Sequence, residues 1–376
     1  MSAPIGAAQT LERALAARTT ANAAFFAEVA DPLARLCHAM SERFAAGGRL
    51  IALGGSPSAR SDARHVAVEF VHPVIVGKRA LPALALAAEG GDLAEQLALV
   101  AEPDDIVMAF GPAPSLAAVR DLGCLSVAFE PVGAEWELVP AVDDPFVAQE
   151  LAETAYHLLW ELVHVFLERR GRPHDAGASS FLYPFLAERA DDVDELLADV
   201  RASVLMKAEE IGALREQTLA EGADTLAGAA DALRRGGRLL ALGNGGSATD
   251  AMDVVADFHA RGRPALDLTE DAAILTALAN DIGVEAIFAR QVIAHGRAGD
   301  VLLAISTSGG SGNVIAALAE ARRRGMVTVA LVGYDGGRVV AEGLADWVVV
   351  TRSQHIPRIQ EAQASAYHVL VELACA

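Results

Sequence analysis

Leu239–Asp250 reads LLALGNGGSATD, and further along Val301–Asn313 reads VLLAISTSGGSGN. Each is an apolar run that breaks into glycine and hydroxyl residues, the pattern of a buried parallel strand ending in an anion-binding loop. In the second loop Ser306, Thr307, Ser308 and Ser311 place four hydroxyls within six positions. Gly309, Gly310 and Gly312 let the backbone approach closely and present its N–H groups. A helix starting near Asn313 aims its positive end at the same place. The loop holds no lysine and the chain no G-x-x-x-x-G-K-[ST], so this is not a nucleotide P-loop and no nucleotide cofactor is expected. A phosphate monoester on a small polyol, held by hydroxyls and amides, fits the pattern.

These two stretches have weaker echoes upstream. Ala45–Gly54 (AAGGRLIALG) returns as Leu233–Gly243 (LRRGGRLLALG), Asp104–Ala109 (DDIVMA) as Gly299–Ala304 (GDVLLA), and Gln149–His157 (QELAETAYH) as Gln360–His368 (QEAQASAYH). The order is the same in both halves while the offset drifts, as loop insertions in a duplicated domain produce. Short apolar strands are predicted at Leu50–Leu53, Ile106–Phe110, Ser126–Phe129, Leu239–Leu242, Val301–Ile305, Thr328–Val332 and Trp347–Val350. Alanine-rich segments at helical spacing separate them. The alternation predicts an α/β chain of two tandem domains, each a parallel sheet flanked by helices in a three-layer, flavodoxin-like α/β/α sandwich, paired as a pseudo-dimer. Ligands of such sheets sit beyond the carboxyl ends of the strands, where both hydroxyl-rich loops fall. Residues 1–170 are read as a diverged first domain, 171–190 as a linker, and 191–376 as a second domain with intact phosphate-binding loops. Long helices are expected over Leu11–Phe44 and Val204–Leu233, and their apolar faces call for partners, so a homodimer giving a four-domain assembly is expected.

Composition bounds the partners. Of 376 residues 53% are hydrophobic and only 5% aromatic, so alanine and leucine fill the cores. The formal net charge of −20 repels nucleic-acid phosphates and anionic membranes, and neither is expected as a partner. A phosphorylated small molecule must then be caught by local donors against an unfavourable overall field. Cys37, Cys124 and Cys375 are odd in number and not at metal spacing, and read as buried hydrophobes in a reducing cytoplasm. No basic leader with an apolar core opens the chain, and no apolar run approaches the roughly 18 residues of a membrane span, so a cytoplasmic protein is expected.

GNGGSATDA, the pair Asn280–Asp281, GDVLLAISTSGGSGNVIAAL, ARRRGM, GYDGG and RIQE together resemble the sugar-isomerase (SIS) domain family, and within it the phosphoheptose isomerase branch. The resemblance runs from Arg235 to Leu373, and Ala45 to Leu167 looks like a diverged copy. It implies an aldose–ketose isomerase converting sedoheptulose 7-phosphate to D-glycero-heptose 7-phosphate through an enediol. Ser247, Ser306, Thr307, Ser308 and Ser311 match the family's phosphate binders. Asn244, Arg261 and Asp281 match substrate-contacting positions, and Gln360 and His368 match a metal-and-catalysis pair on the last helix. Asp257 stands where the family has its glutamate base, and Asp253 where some members have a zinc-binding histidine. A base one methylene shorter must still reach its proton at ~2.6–3.2 Å. A carboxylate in place of an imidazole makes the site harder and less zinc-like.

The first half shows the reverse pattern. Its loop, Phe110–Ser115 (FGPAPS), lacks the hydroxyl cluster and has two prolines, each without an N–H. Yet His65 and Glu69 match Asp253 and Asp257, and Gln149 and His157 match the last-helix pair. Glu69 and His157 are therefore candidate acid–base residues beside Asp257 and His368. The set His65, Glu69, Gln149 and His157 is the candidate zinc site, and complementary halves forming one composite site are an expectation. His65 and Glu69, four apart, share a helix face. Gln149 and His157, eight apart, are separated by about 12 Å along a helix axis, which counts against one shared ion. Plainer readings stand beside these: His65–Glu69 as an ion pair, His157 and His368 as core histidines, Asp253 and Asp257 as solvated helix charges. Tyr156, Trp160 and Phe166 read as packing. Two other functions stay open, namely a sugar-phosphate sensor or assembly factor without chemistry, and a different isomerase or metal-handling role built on His65 and Glu69.

Overall fold

The computed structural model describes residues 5–74, 78–87, 91–113, 116–171, 193–235 and 237–376. They form two compact units, Thr20–Glu210 and Ile211–Ala376, the latter joined by Met1–Thr19. In chain order the first run of elements is α1 (Ile5–Ala46), β1 (Leu50–Gly54), α2 (Pro57–Val71), β2 (Ala83–Leu86), α3 (Leu93–Val100), β3 (Ile106–Phe110), α4 (Ala117–Asp121), β4 (Leu125–Ala128), β5 (Trp136–Glu137) and α5 (Pro145–Gly171). The second run is α6 (Val193–Arg234), β6 (Leu239–Leu242), α7 (Gly246–Ala260), β7 (Ala265–Asp267), α8 (Ala272–Asp281), a 3₁₀ turn (Val284–Ala286), α9 (Ile287–His295), β8 (Val301–Ser306), α10 (Gly312–Arg323), β9 (Val327–Gly333), α11 (Gly337–Ala341), β10 (Trp347–Thr351) and α12 (Ile356–Cys375).

Each unit holds a five-stranded sheet, ordered β2-β1-β3-β4-β5 and β7-β6-β8-β9-β10, and every pairing is parallel. The two orders are the same once β1 is matched to β6, which bears out the duplication. The central strands are apolar throughout because both faces are covered. In β3, Ile106, Met108 and Phe110 pack towards α1, α2 and α5, while Val107 and Ala109 pack towards α3 and α4. In β8, Leu302 and Ala304 join α9 and α10 in one core.

Three strands escape the sequence reading: β2, β5 and β7. All lie at or next to a sheet edge, and none presents a fully buried run. Without two covered faces, ALAL or ALD carries no apolar signal that separates strand from helix. The domain boundaries also differ from expectation. A single cut through 171–190 was expected, whereas Met1–Thr19 groups with the second unit and residues 191–210 with the first. The cause is helix length: α1 and α6 have 42 residues each, about 63 Å at 1.5 Å per residue, more than one domain of this size requires. Residues 172–190 of the expected linker lie outside the described residues. No described helix is long and apolar enough to cross a membrane.

The repeated Gly-Gly-Arg has a structural reason. A Cβ on Gly48 would collide with the backbone oxygen of Asp104, and one on Gly237 with that of Gly299. The following arginine then closes a clasp across the strand starts. Arg49 Nη2 lies 2.7 Å from Asp105 Oδ2, and Arg238 Nη2 lies 2.8 Å from Asp300 Oδ2. Asp300 also accepts from the backbone N–H groups of Arg238 and Arg297. Burial pushes its carboxyl up, but these donors outweigh burial and hold it below the usual carboxylate range. Asp300→Ala should therefore cost about 1–3 kcal/mol at pH 7 through donors left unpaired. A depressed folded pKa stabilises above the unfolded value and is lost as pH falls through the folded one. The gap in urea midpoint between parent and variant should thus shrink below about pH 4; a gap unchanged down to pH 2 would refute the clasp.

Candidate functional site

β8 ends at Ser306, which is buried, and the chain turns outward through Thr307, Ser308, Gly309 and Gly310 to Ser311, the N-cap of α10. Gly309 adopts φ 58°, and a Cβ there would strike the backbone oxygen of Gly336. The turn is fixed by its own hydroxyls. Ser306 Oγ accepts from the Gly309 N–H and Ser308 Oγ from the Gly310 N–H, both at 3.2 Å. From behind, the Gly333 N–H donates to Thr307 O at 3.0 Å and the Val339 N–H to Gly309 O at 3.1 Å. The segment GYDGG is thus a buttress: Tyr334, Gly336 and Gly337 all have positive φ, and Gly337 packs on Ser308 O. Ser311 makes no side-chain cap to its own helix, and the first N–H groups of α10 open at this loop, as helix starts do at anion sites.

β6 lies beside β8, so its own terminal loop is the neighbour of this turn. Asn244 and Asn313 join the two through reciprocal amide hydrogen bonds of 3.0 and 2.9 Å. Ser247 is buried in the first turn of α7, its N–H donating to Asn244 O. Asn244, expected to touch substrate, is therefore first a strut between loops. Asp281, expected beside them, is an exposed residue closing α8, where it accepts from Asn280 Nδ2 at 2.8 Å. In the first unit the matching turn has Gly111 at φ 58°, Phe110 stacked on Phe129 with centroids 5.2 Å apart, and no hydroxyl among its described residues. Pro114 and Ser115 of that loop lie outside the described residues.

A second cluster lies where α7 meets α12. Asp253 Oδ2 accepts from Tyr367 Oη at 2.9 Å and lies 3.3 Å from His368 Nε2, which is 3.7 Å from Asp257 Oδ2. All three titratable groups are buried. Burial first, and the neighbouring Asp253 second, push the Asp257 carboxyl up to about 7 against the pull of His368 and Arg261. Asp257 Oδ2 has no hydrogen-bond partner among the described residues. Arg261, at the C-cap of α7, donates to Asp257 O at 3.3 Å and stands 4.0 Å from Asp257 Oδ1. Gln360, two turns before His368, is buried in α12.

The first unit repeats this cluster with different chemistry. His65 and Glu69 on α2 face α5, with His65 Nε2 3.4 Å from His157 Nε2 and 3.9 Å from Glu69 Oε1. All are buried, and burial, followed by the adjacent His157, holds His65 well below the usual imidazole range. Ligand atoms of His65, Glu153 and His157 lie within 4.8 Å of one another. Gln149, also expected in this set, donates its amide N–H to Asp62 Oδ2 at 3.3 Å. Two helical turns separate Gln149 from His157, and Glu153 sits midway. Glu153 and Tyr367 went unread in sequence, although both were signalled. Glu153 completes the i, i+4, i+8 series from Gln149, and the tyrosine recurs before the histidine in both halves as AYH. Trp160 and Phe166 are core, as expected.

The structure is a duplicated parallel α/β architecture with a hydroxyl-lined turn at the end of a central strand of its second copy. The family described as SIS domain matches residues 204–333. The phosphoheptose isomerase of Geobacter sp. (strain M21) is 40% identical over 184 residues, covering 47% of this chain and 95% of that protein. That of Roseiflexus sp. (strain RS-1) is 47% identical over 149 residues, covering 38% of this chain and 75% of that protein. Among solved structures, the C-terminal domain of glucosamine-fructose-6-phosphate aminotransferase from Francisella tularensis matches at a TM-score of 0.64 and 9% identity, covering 97% of this chain and 95% of that one; this likeness concerns the fold alone. The chain belongs to the SIS domain family, and its two units are tandem copies of that domain.

Proposed function

We propose that this chain is a phosphosugar isomerase interconverting a ketose phosphate and its aldose, with sedoheptulose 7-phosphate and D-glycero-heptose 7-phosphate as the pair. The ester is held by Ser247, Ser306, Thr307, Ser308 and Ser311 with the N–H groups at the start of α10. Asp257 removes a proton from C1 of the open-chain ketose while His368 gives one to the C2 carbonyl oxygen. The resulting enediol loses its O1 proton to His368 and regains a carbon proton at C2 from Asp257, which restores both groups. Tyr367 and Asp253 are positioning residues, since Asp253 takes hydrogen bonds from Tyr367 and faces the His368 ring. The observation that carries this reading is the Asp257–His368 pair: a buried carboxyl pushed up to about 7, 3.7 Å from an imidazole. Proton transfer is efficient when donor and acceptor titrate near the working pH.

A zinc ion is part of the proposal. Two buried imidazoles with ring nitrogens 3.4 Å apart, beside Glu69, are a donor set suited to zinc. His65, Glu69 and His157 would hold it, and when bound it supplies Lewis-acid polarisation of an oxygen. The exchange of His65 and Glu69 for Asp253 and Asp257 in the other copy supports a second reading, a sugar-phosphate sensor without chemistry. Incubation of the full chain with sedoheptulose 7-phosphate decides between them. Appearance of the heptose 7-phosphate is expected; calorimetric binding with no product would establish the sensor.

A further inference from the structure

The hydroxyl-lined turn has a negatively charged neighbour. Glu285, in the 3₁₀ turn between α8 and α9, is exposed, yet its side chain lies against Gly312, the first residue of α10. A Cβ on Gly312 would stand 3.0 Å from Glu285 Oε1 and 3.1 Å from its carboxylate carbon. Glu285 makes no hydrogen bond or ion pair among the described residues. Arg338 stands in its field but is bonded to Glu342, at 2.6 and 3.2 Å. The backbone under Glu285 is fixed on both sides: the Ala286 N–H donates to Gly283 O at 3.0 Å, and Ile287 and Phe288 enter the core. The first copy runs from Leu86 of β2 to Leu93 of α3, a span too short for a counterpart of α8 and this turn. The carboxylate and the hydroxyl cluster therefore occur in the same copy.

We propose that Glu285 is a specificity-determining residue of the ester site: its carboxylate accepts a hydrogen bond from an anion that bears a proton and repels one that bears none. The inference rests on the reading of the Ser306–Ser311 turn as the place of the ester. Serine hydroxyls and backbone N–H groups can donate to any tetrahedral oxyanion, so by themselves they do not tell phosphate from sulfate. An ionised carboxylate can only accept. A phosphate group, with a second pKa of about 6, still carries a proton in a share of molecules near neutral pH, and inorganic phosphate keeps at least one there. Sulfate keeps none. A carboxylate at a helix start also has a plainer role, as a partner of the dipole. That role predicts equal relief of phosphate and sulfate once the charge is removed, whereas selection by proton predicts unequal relief.

The full chain would be titrated calorimetrically with inorganic phosphate and, separately, with sulfate, near pH 7 at fixed ionic strength. In the parent, phosphate should bind at least about 10-fold tighter than sulfate, the worth of one hydrogen bond to a charged group. Glu285→Gln, whose amide can donate, should tighten sulfate at least about 10-fold and bring the two anions within about threefold of each other. Glu285→Asp keeps the charge and should keep a preference for phosphate. Ser308→Ala combined with Ser311→Ala should weaken both anions together, which ties both to the turn. No preference in the parent, an unchanged preference in Glu285→Gln, or both anions tightened by one factor would overturn the proposal. Because Glu285 is exposed and forms no hydrogen bond, the melting temperature of Glu285→Gln should not move. Anion binding indifferent to the serine variants would defeat the ester-site reading itself, and this inference with it. The expected selectivity in a chain without isomerase turnover would leave this inference standing and defeat the isomerase reading alone.

Discussion

Asp257→Asn is expected to lower kcat/KM for sedoheptulose 7-phosphate by about 10²–10⁴, the usual worth of a positioned acid–base group. The variant keeps the shape of the side chain and removes only its ability to carry the proton. Because the carboxyl is pushed up to about 7, the parent's rate should climb as pH rises through that value and the base ionises. Asp253→Asn removes a charge that contributes to that rise and should move the rising limb to lower pH. A separate stability measurement guards against misreading. A folded pKa above the unfolded one means that the folded chain binds more protons, so the contribution of Asp257 to stability falls as pH rises from about 4 to 7. Asp257→Asn should therefore melt no lower than the parent at pH 7.5. Full activity in Asp257→Asn, with loss in Glu69→Gln, would move the proton transfer to the first copy.

Removal of the loop hydroxyls should abolish binding while leaving the fold intact. A hydrogen bond to a charged group contributes about 1.5–3 kcal/mol. Ser308→Ala combined with Ser311→Ala should accordingly raise the Kd for sugar phosphate or inorganic phosphate by about 10²–10⁴. Ser308 is exposed, and the Ser311 side chain does not cap its helix, so melting temperature should barely move. Ser306→Ala should loosen the loop more, since Ser306 Oγ holds the Gly309 N–H in a buried hydrogen bond, whereas that of Ser308 to the Gly310 N–H is exposed. Isothermal titration with phosphate showing less than a threefold change in the double variant would remove the loop from the site.

Much of this was legible in the chain because two strong signals coincide. Fully buried strands such as VLLAIS have no polar face, and glycine–serine turns at their ends have few structural excuses. The duplication was equally open to reading, since Gly48, Arg49 and Asp105 and their second copies are fixed by backbone collisions and a buried clasp. What stayed hidden depended on relations across the chain. β2, β5 and β7 owe their strand character to a neighbour. Glu153 is one glutamate among many until α2 brings His65 opposite it. Gln149 enters the metal set through its repeat partner, and its hydrogen bond to Asp62 emerges only when α2 and α5 are side by side. Asn244 reads as a ligand-facing amide, yet its partner Asn313 emerges only when β6 and β8 are side by side.

The two 42-residue helices have a bearing on dissection of the molecule. Arg18, buried in α1, lies 3.7 Å from Glu372 of α12, and Asn22, four residues on, donates to the carbonyl of Ala208 in α6. A fragment opening at Ile211 would lack the α1 segment whose Arg18 meets Glu372 of α12, and a fragment closing at Glu210 would carry that same piece as a surplus overhang. Excision at that point thus leaves the first unit whole with an unmatched tail and the second without its opening helical segment. Joining that segment to the second fragment, by permutation or by co-expression, would restore it.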